Sequence, residues 1–306
     1  MIPIVYAPTA SGKSELVLAL AQELPVEIVS MDSMQVYRKM DIGTAKPSQA
    51  ERQAVPHWMI DLVEPDEPFN AYLFRQQCLP LLDDIQRREK IPLLVGGTGL
   101  YLDTLRYGIF DGFSKNESIR RYLRKHEEND PGSLRTMLEE TDPQSARAIH
   151  PNDLKRTIRA LEVFLSSGVP FSQAKQKRIP DSRFSLLVLQ RDRQDLYDRI
   201  NQRVELMLEK GLVDETRALL ERGFSPDLPA FKAIGYAESI AWINGKWEDE
   251  KQFVHVLKRN TRHFARRQMI WARRYEDARV VELQNSAFSA NLRNLKKSVV
   301  EVVNMI

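Results

Sequence analysis

An α/β fold, a parallel sheet flanked by helices, is predicted for this 306-residue chain by three observations. Ile2, Ile4 and Val5 read as a short buried strand entering a small-residue turn, Ala7 to Gly12. Lys13-Ser14 then opens a helix with Leu16, Val17, Leu20 and Leu24 at helical spacing. Apolar runs of strand length recur at 26–30, 91–95 and 184–189. From about Ser114 to Arg183 strand signals vanish, charge rises, and helices are broken at Asp130-Pro131-Gly132, Asp142-Pro143, His150-Pro151 and Gly168-Val169-Pro170. The α/β core is therefore expected over 1–113 and 184–306, with a helical C-terminal region, and an all-helical insertion over 114–183.

The first strand, turn and helix have the layout of a P-loop, so a P-loop NTPase-like sheet is the specific expectation. Ala7, Pro8, Thr9, Ala10, Ser11 and Gly12 form the loop whose N–H groups, with the helix N-terminus, would face an anion. Lys13 supplies a point charge, and the Ser14 hydroxyl is a candidate Mg²⁺ ligand. Ala7 departs from the G-x-x-x-x-G-K-[ST] pattern at its first glycine, whereas Gly12 keeps the second. The plain alternative is a chance strand–turn–helix with a surface lysine; correct context on both sides favours a di- or triphosphate site.

Further along, the second strand ends at Met31-Asp32-Ser33. In open α/β sheets ligands sit beyond the strands' carboxyl ends, so Asp32 is placed to bind Mg²⁺ or take a proton. Gly43-Thr44-Ala45-Lys46-Pro47 marks a loop, His57 to Val63 a further candidate strand, and Ala71 to Arg88 an amphipathic helix interrupted or kinked at Pro80. The strand at 91–95 opens into Gly96-Gly97-Thr98-Gly99, either a structural turn or a close backbone approach to a ligand. There Thr98 offers a hydroxyl at the layer of Asp32. No apolar run ends in the aspartate that a kinase-type Mg²⁺ site would place there. In the insertion, Asn152 or Asp153 can cap a helix carrying Lys155, Arg156 and Arg159. After the strand at 184–189 a long helix bears Arg199 and Arg203, diphosphate ligands or surface ion pairs. Lys232 and Tyr236 are candidate ligand-facing residues of an apolar loop, and Phe253–Tyr275 reads as a strongly basic helix.

Composition narrows the classes. Apolar content of 42% and charged content of 28% are those of an ordinary globular protein, and a net charge of +3 says little by itself about a nucleic-acid partner. Distribution says more: Lys258, Arg259, Arg262, Arg266, Arg267, Arg273, Arg274 and Arg279 crowd one stretch, either a solvated helix face or a polyanion surface. The single Cys78 excludes an internal disulfide and suits a reducing compartment. Five scattered histidines argue against a structural zinc site, and no apolar run is long enough to span a membrane. The cradle begins close to Met1, which leaves no room for a leader peptide, and a cytoplasmic protein is expected.

Together the local signatures resemble the tRNA dimethylallyltransferases. The resemblance is carried by Pro8-Thr9-Ala10-Ser11-Gly12-Lys13-Ser14, Asp32-Ser33-Met34-Gln35-Val36-Tyr37, Met40-Asp41-Ile42-Gly43-Thr44-Ala45-Lys46-Pro47 and Val95-Gly96-Gly97-Thr98-Gly99-Leu100-Tyr101. It continues through His150-Pro151-Asn152-Asp153 with Arg156, Arg159-Ala160-Leu161-Glu162-Val163, Leu196 to Val204, Lys232-Ala233-Ile234-Gly235-Tyr236, and Arg267-Gln268 with Trp271. These run in family order over nearly the whole chain. The resemblance implies transfer of a dimethylallyl group from its diphosphate to N6 of the adenosine immediately 3′ of the anticodon. By the same match Asp32 is the general base and Thr98 a partner for adenine or leaving group. Ala7 to Ser14, Arg156 and Arg203 would hold the diphosphate and its Mg²⁺. Asp32, Ser33, Met34, Gln35, Thr98, Arg120, Lys155, Arg156, Thr157, Ile158, Arg159, and Lys232, Ala233, Ile234, Gly235, Tyr236, Ala237 would touch tRNA. A monomer with no membrane partner is expected. Ala237 departs from the basic residue usual after Gly-Tyr, and residues 109–119 match the family's Pro-rich run poorly.

Such chemistry needs these groups because the adenine amine is a poor nucleophile. Its proton must be accepted, and the departing diphosphate must be stabilised by fixed charge. The competing readings are a small-molecule P-loop kinase, which requires ATP, and an RNA-binding module without turnover.

Overall fold

Residues 1–108, 116–176, 179–285 and 287–305 are described in the computed structural model. They divide between Met1–Arg106 with Ser182–Ile306, and Tyr107–Asp181. The expected entry into the insertion, at 113/114, lies outside the described residues.

The chain begins with β1 (Ile2–Tyr6), α1 (Lys13–Ala21), β2 (Val26–Met31), α2 (Gln49–Ala54), β3 (His57–Trp58), α3 (Ala71–Arg87), β4 (Ile91–Gly96) and α4 (Gly99–Tyr107). Five helices follow: α5 (Glu117–Asn129), α6 (Ser133–Thr141), α7 (Pro143–Ala148), α8 (Leu154–Ser167) and α9 (Phe171–Gln176). The chain then returns through β5 (Phe184–Arg191), α10 (Arg193–Glu209), α11 (Leu212–Glu221), a 3₁₀ turn at Pro229–Lys232, α12 (Tyr236–Ile243), α13 (Glu250–Ala272), β6 (Arg279–Leu283) and α14 (Phe288–Val303).

Six strands form one parallel sheet in the order β3-β2-β4-β1-β5-β6. β1 and β2 are buried along their whole length, as a parallel sheet covered on both faces requires. On one face Val5, Leu93, Leu187 and Val281 pack with Leu16, Val17 and Leu20 of α1 and Leu295 and Val299 of α14. Register matters most for the site. Tyr6 and Met31 both lie opposite Gly96, so the carboxyl ends of β1, β2 and β4 are level. The residues that follow, Ala7, Asp32 and Gly97-Thr98, share one layer.

Three local expectations change. The candidate strand at 57–63 reduces to His57–Trp58, with an isolated bridge between Tyr37 and Val63. α3 runs unbroken through Pro80, its buried stripe Phe74, Cys78, Leu82 and Ile85 holding the helix to the core at the cost of one backbone bond. β6 emerges beyond the basic helix read over Phe253–Tyr275, where no strand was read. Val281 and Leu283 face inward while Glu282 and Val280 face out, an edge-strand alternation masked by the neighbouring arginines.

In the helical unit, Leu123, Leu134, Leu138, Ile149, Ile158 and Leu161 make a separate core. Among the described residues no helix is long and apolar enough to cross a membrane. Cys78 is buried, and burial pushes its thiol up to about 12.

Candidate active site

The turn between β1 and α1 is built for an anion. Gly12 sits at φ +87° as the residue preceding α1, a conformation costly for any side chain. No side chain caps α1, so its first N–H groups point outward, where a phosphate would satisfy them. Ala7 is buried and is not among the positive-φ residues, which explains why this loop tolerates a methyl at the position of the first glycine. Two arginines, Arg191 at the end of β5 and Arg199 on α10, brace the loop. Arg199 Nε donates to the Ala10 carbonyl at 3.0 Å, and Arg191 Nε to the Ser11 carbonyl at 3.1 Å. Arg191 has no counterpart in the sequence reading, because only the fold brings the end of β5 alongside the loop.

Two cavities meet at Lys13, Ser14, Arg203 and Leu206. The smaller, about 290 Å³, is lined by Ala10–Glu15, Arg199, Gln202 and Arg203. The larger, about 630 Å³, adds Asp32 and the apolar Val17, Leu18, Ile28, Val95 and Met207. Lys13 is held down to about 8 by burial and by Arg203, with Asp32 pulling the other way. Burial likewise lowers Arg203, again opposed by Asp32. Two cations and one carboxylate therefore lie within electrostatic reach of each other, leaving one positive charge for an incoming anion.

Asp32 presents its two oxygens differently. Oδ1 accepts the N–H groups of Met34 at 2.8 Å and Gln35 at 3.4 Å, whereas Oδ2 has no hydrogen-bond partner among the described residues. The first contact fixes the carboxylate, and the second oxygen is available to take a proton. Thr98 stands behind this group, on neither cavity wall. Its Oγ1 accepts the Ser33 N–H at 3.1 Å, one residue past Asp32. The Gln35 amide is committed internally, accepting from Ser30 Oγ at 2.8 Å and donating to the carbonyls of Thr44 and Ala45.

Other expected contact residues divide by burial. Lys232 and Ala237 are exposed, and Ala233 and Ile234 are half-buried. Gly235 and Tyr236, expected to touch tRNA, are buried. Tyr236 has 0% exposure, and its hydroxyl donates to Glu215 at 2.6 Å. Burial, with the Glu215 charge, raises that phenol far above its ordinary value. In the helical unit Lys155 and Arg156 are exposed, Arg156 pairing with the helix-capping Asp153. Thr157 and Ile158, 2% and 7% exposed, are buried on α8, Ile158 within the apolar core of the helical unit. Arg120 and Arg159 both turn to Glu162, with bonds of 2.8 Å and 2.6 Å. Burial opposes the Glu162 charge, but those bonds and the Asn116 N–H outweigh it and hold its carboxyl below the ordinary range.

The sequence reading gave no role to Gln268, a buried residue that bonds both the cradle and the loop after β4. Glu215 was missed altogether: it accepts from the N–H groups of Asp41, Ile42 and Gly43. Among the described residues no cluster of three or more His, Cys, Asp or Glu could hold a metal. Ser14 lies on both cavity walls.

Comparison with known proteins identifies the family. A family model described as IPP transferase matches residues 35–275, and one described as isopentenyl transferase matches residues 1–61. The chain is 56% identical over 275 residues to the tRNA dimethylallyltransferase of Thermotoga neapolitana, covering 90% of each. It is 51% identical to that of Thermotoga petrophila, covering 98% of each. Among solved structures, a full-length tRNA isopentenylpyrophosphate transferase of Bacillus halodurans superimposes with a TM-score of 0.73 at 35% identity, over 99% of this chain and 96% of that one. A eukaryotic dimethylallyltransferase acting on tRNA gives 0.85 at 28% identity, over 98% and 78%. A level strand-end layer, an anion cradle and a half-tethered carboxylate thus occur in a chain that belongs to the IPP transferase family, whose curated relatives are tRNA dimethylallyltransferases.

Proposed function

We propose that the protein transfers a dimethylallyl group from dimethylallyl diphosphate to N6 of the tRNA adenosine immediately 3′ of the anticodon, releasing diphosphate. The observation that carries this reading is the shared cavity. Lys13 and Arg203, suited to a leaving diphosphate, line the same space as the Asp32 carboxylate and a wall of Val17, Leu18, Ile28 and Met207 suited to a five-carbon chain.

In this reading the bond from N6 to prenyl C1 forms as the C1–O bond to diphosphate breaks. The electron pair leaves with the diphosphate, and the N6 proton passes to Asp32 Oδ2. Oδ1, held by Met34 and Gln35 N–H groups, keeps the carboxylate oriented during that transfer. Loop N–H groups, Lys13 and Arg203 stabilise the charge that develops on the leaving group, and this preorganised field is the larger contribution. Magnesium held by Ser14 would supply further neutralisation of the diphosphate. Thr98 acts by fixing the backbone at Ser33. Adenosine must leave its stack to reach this layer, and exposed Lys155, Arg156, Lys232 and the arginines of α13 are the groups suited to the tRNA backbone.

The test is direct. Incubated with unmodified tRNA and labelled dimethylallyl diphosphate, the protein is expected to form N6-prenylated adenosine without ATP, identified by nucleoside mass spectrometry. Asp32→Asn should reduce turnover by about 10²–10⁴-fold while tRNA binding persists. An ATP requirement, or near-normal turnover by that variant, overturns the reading.

A further inference from the structure

We propose that Gln268 is a positioning residue for the transfer, setting the spacing between the diphosphate cradle and the layer that holds Asp32; this rests on the functional reading above. Gln268 lies on the inner side of α13 and is 7% exposed. Its Oε1 accepts the Thr9 N–H at 2.8 Å, and its Nε2 donates to the Gly97 carbonyl at 3.0 Å. An N–H on one side and a carbonyl on the other leave the amide a single orientation. Thr9 belongs to the loop that would grip the leaving group. Gly97 immediately precedes Thr98, whose Oγ1 fixes Ser33 beside Asp32. One side chain therefore ties the backbone of the leaving-group site to the backbone that orients the base.

The fit has no slack. A Cβ at Gly97 would lie 2.2 Å from Gln268 Nε2 and 2.9 Å from the Ala7 carbonyl oxygen, so the two loops and the amide are at closest approach. The Tyr6 hydroxyl donates to the Gln268 carbonyl at 3.3 Å, tethering this turn of α13 to the end of β1 independently of the amide. The bridge needs a donor and an acceptor at the same reach, which a primary amide provides. Glutamate offers acceptors alone and would set a negative charge behind the cradle. Methionine matches the length but offers neither bond, and asparagine is one methylene short. In-line transfer is sensitive to such spacing, because a displacement of about 1 Å can cost about 10²-fold in rate.

The full-length variants Gln268→Met, Gln268→Glu and Tyr6→Phe test this through kcat, KM for each substrate, and calorimetric affinity for inorganic diphosphate. Gln268→Met is expected to lower kcat by about 10–100-fold. It should weaken diphosphate binding several-fold and leave KM for tRNA within about twofold. Gln268→Glu should weaken diphosphate binding further. Tyr6→Phe, which loosens the same turn but spares the bridge, should keep kcat within about twofold. If Gln268→Met does not accumulate folded, Gln268→Asn carries the same expectation. A Gln268→Met enzyme with near wild-type kcat and diphosphate affinity overturns the proposal, as do equal losses in Tyr6→Phe. Absence of turnover in the unmodified enzyme would sink the functional reading instead, and diphosphate affinities would still decide this one.

Discussion

Lys13 illustrates how one residue can be useful because it is poorly solvated. Burial and the neighbouring Arg203 bring its ammonium down from 10.5 to about 8, against the pull of Asp32. A diphosphate adds negative charge and restores the proton. In the ligand-free protein the charge is lost as pH rises through about 8, so affinity for inorganic diphosphate should fall by about tenfold per pH unit above that point. Lys13→Met should bind more weakly and lose this slope; calorimetry from pH 7 to 9.5 measures both. Stability runs the opposite way. Between about 8 and 10.5 the unfolded chain binds more protons at this lysine than the folded one, so its contribution to stability increases with pH. Urea midpoints of the unliganded protein against the Lys13→Met variant should therefore converge as pH rises across that window.

The elements around the site are held by carboxylate and amide knots more than by their own propensities. Glu215 on α11 accepts the N–H groups of Asp41 at 3.0 Å, Ile42 at 2.9 Å and Gly43 at 3.4 Å, together with the Tyr236 hydroxyl at 2.6 Å. This fastens the loop that supplies Asp41, Ile42, Ala45 and Lys46 to the larger cavity. Hydrogen bonds to a charged group contribute about 1.5–3 kcal/mol each. Glu215→Ala should then destabilise by about 3 kcal/mol or more and Tyr236→Phe by about 1.5–3 kcal/mol. The double variant should lose less than their sum, because the two share one bond; additive urea-unfolding energies would show that they do not. Contacts of this kind also mark the limit of what could be read from residues alone. The cradle, Asp32 and the return of the sheet at Phe184 are legible because each is a short pattern in which neighbours in sequence are neighbours in space. Glu215 and Gln268 are not. Apart from Tyr236, 21 residues from Glu215, their side-chain partners lie 171 to 259 residues away, and helical spacing alone does not single them out from other polar residues on α11 or α13. Tyr236 shows the converse limit. A tyrosine in a loop beside a lysine reads as ligand-facing until the carboxylate that buries its hydroxyl is known.

At the scale of the whole molecule, α13 carries two tasks on opposite sides. Phe253, Leu257, Ala265 and Gln268 face inward, while Arg259, Arg266 and Arg267, with Arg273 just past the helix end, are exposed. No acidic side chain pairs with those four among the described residues. By contrast, Lys258 and Arg274 are engaged by Glu205 and Asp103. The net charge of +3 thus understates the local field, which comes from a helix left unneutralised along one side. Each cation that replaces a condensed counterion on a polynucleotide contributes about 0.7–0.9 to the slope of log affinity against log salt. Replacing Arg259, Arg266 and Arg273 by Gln should therefore weaken tRNA binding at low salt and flatten that slope by about 2. Inorganic diphosphate affinity should stay unchanged, since none of the three lines either cavity. Filter binding of tRNA between 50 and 200 mM salt, an interval wide enough to resolve such a change, separates the outcomes. An unaltered slope would mean that α13 exposes its arginines to solvent alone and that the polynucleotide is held elsewhere. A lowered diphosphate affinity would mean instead that the outer and inner sides of the helix are mechanically coupled through Gln268.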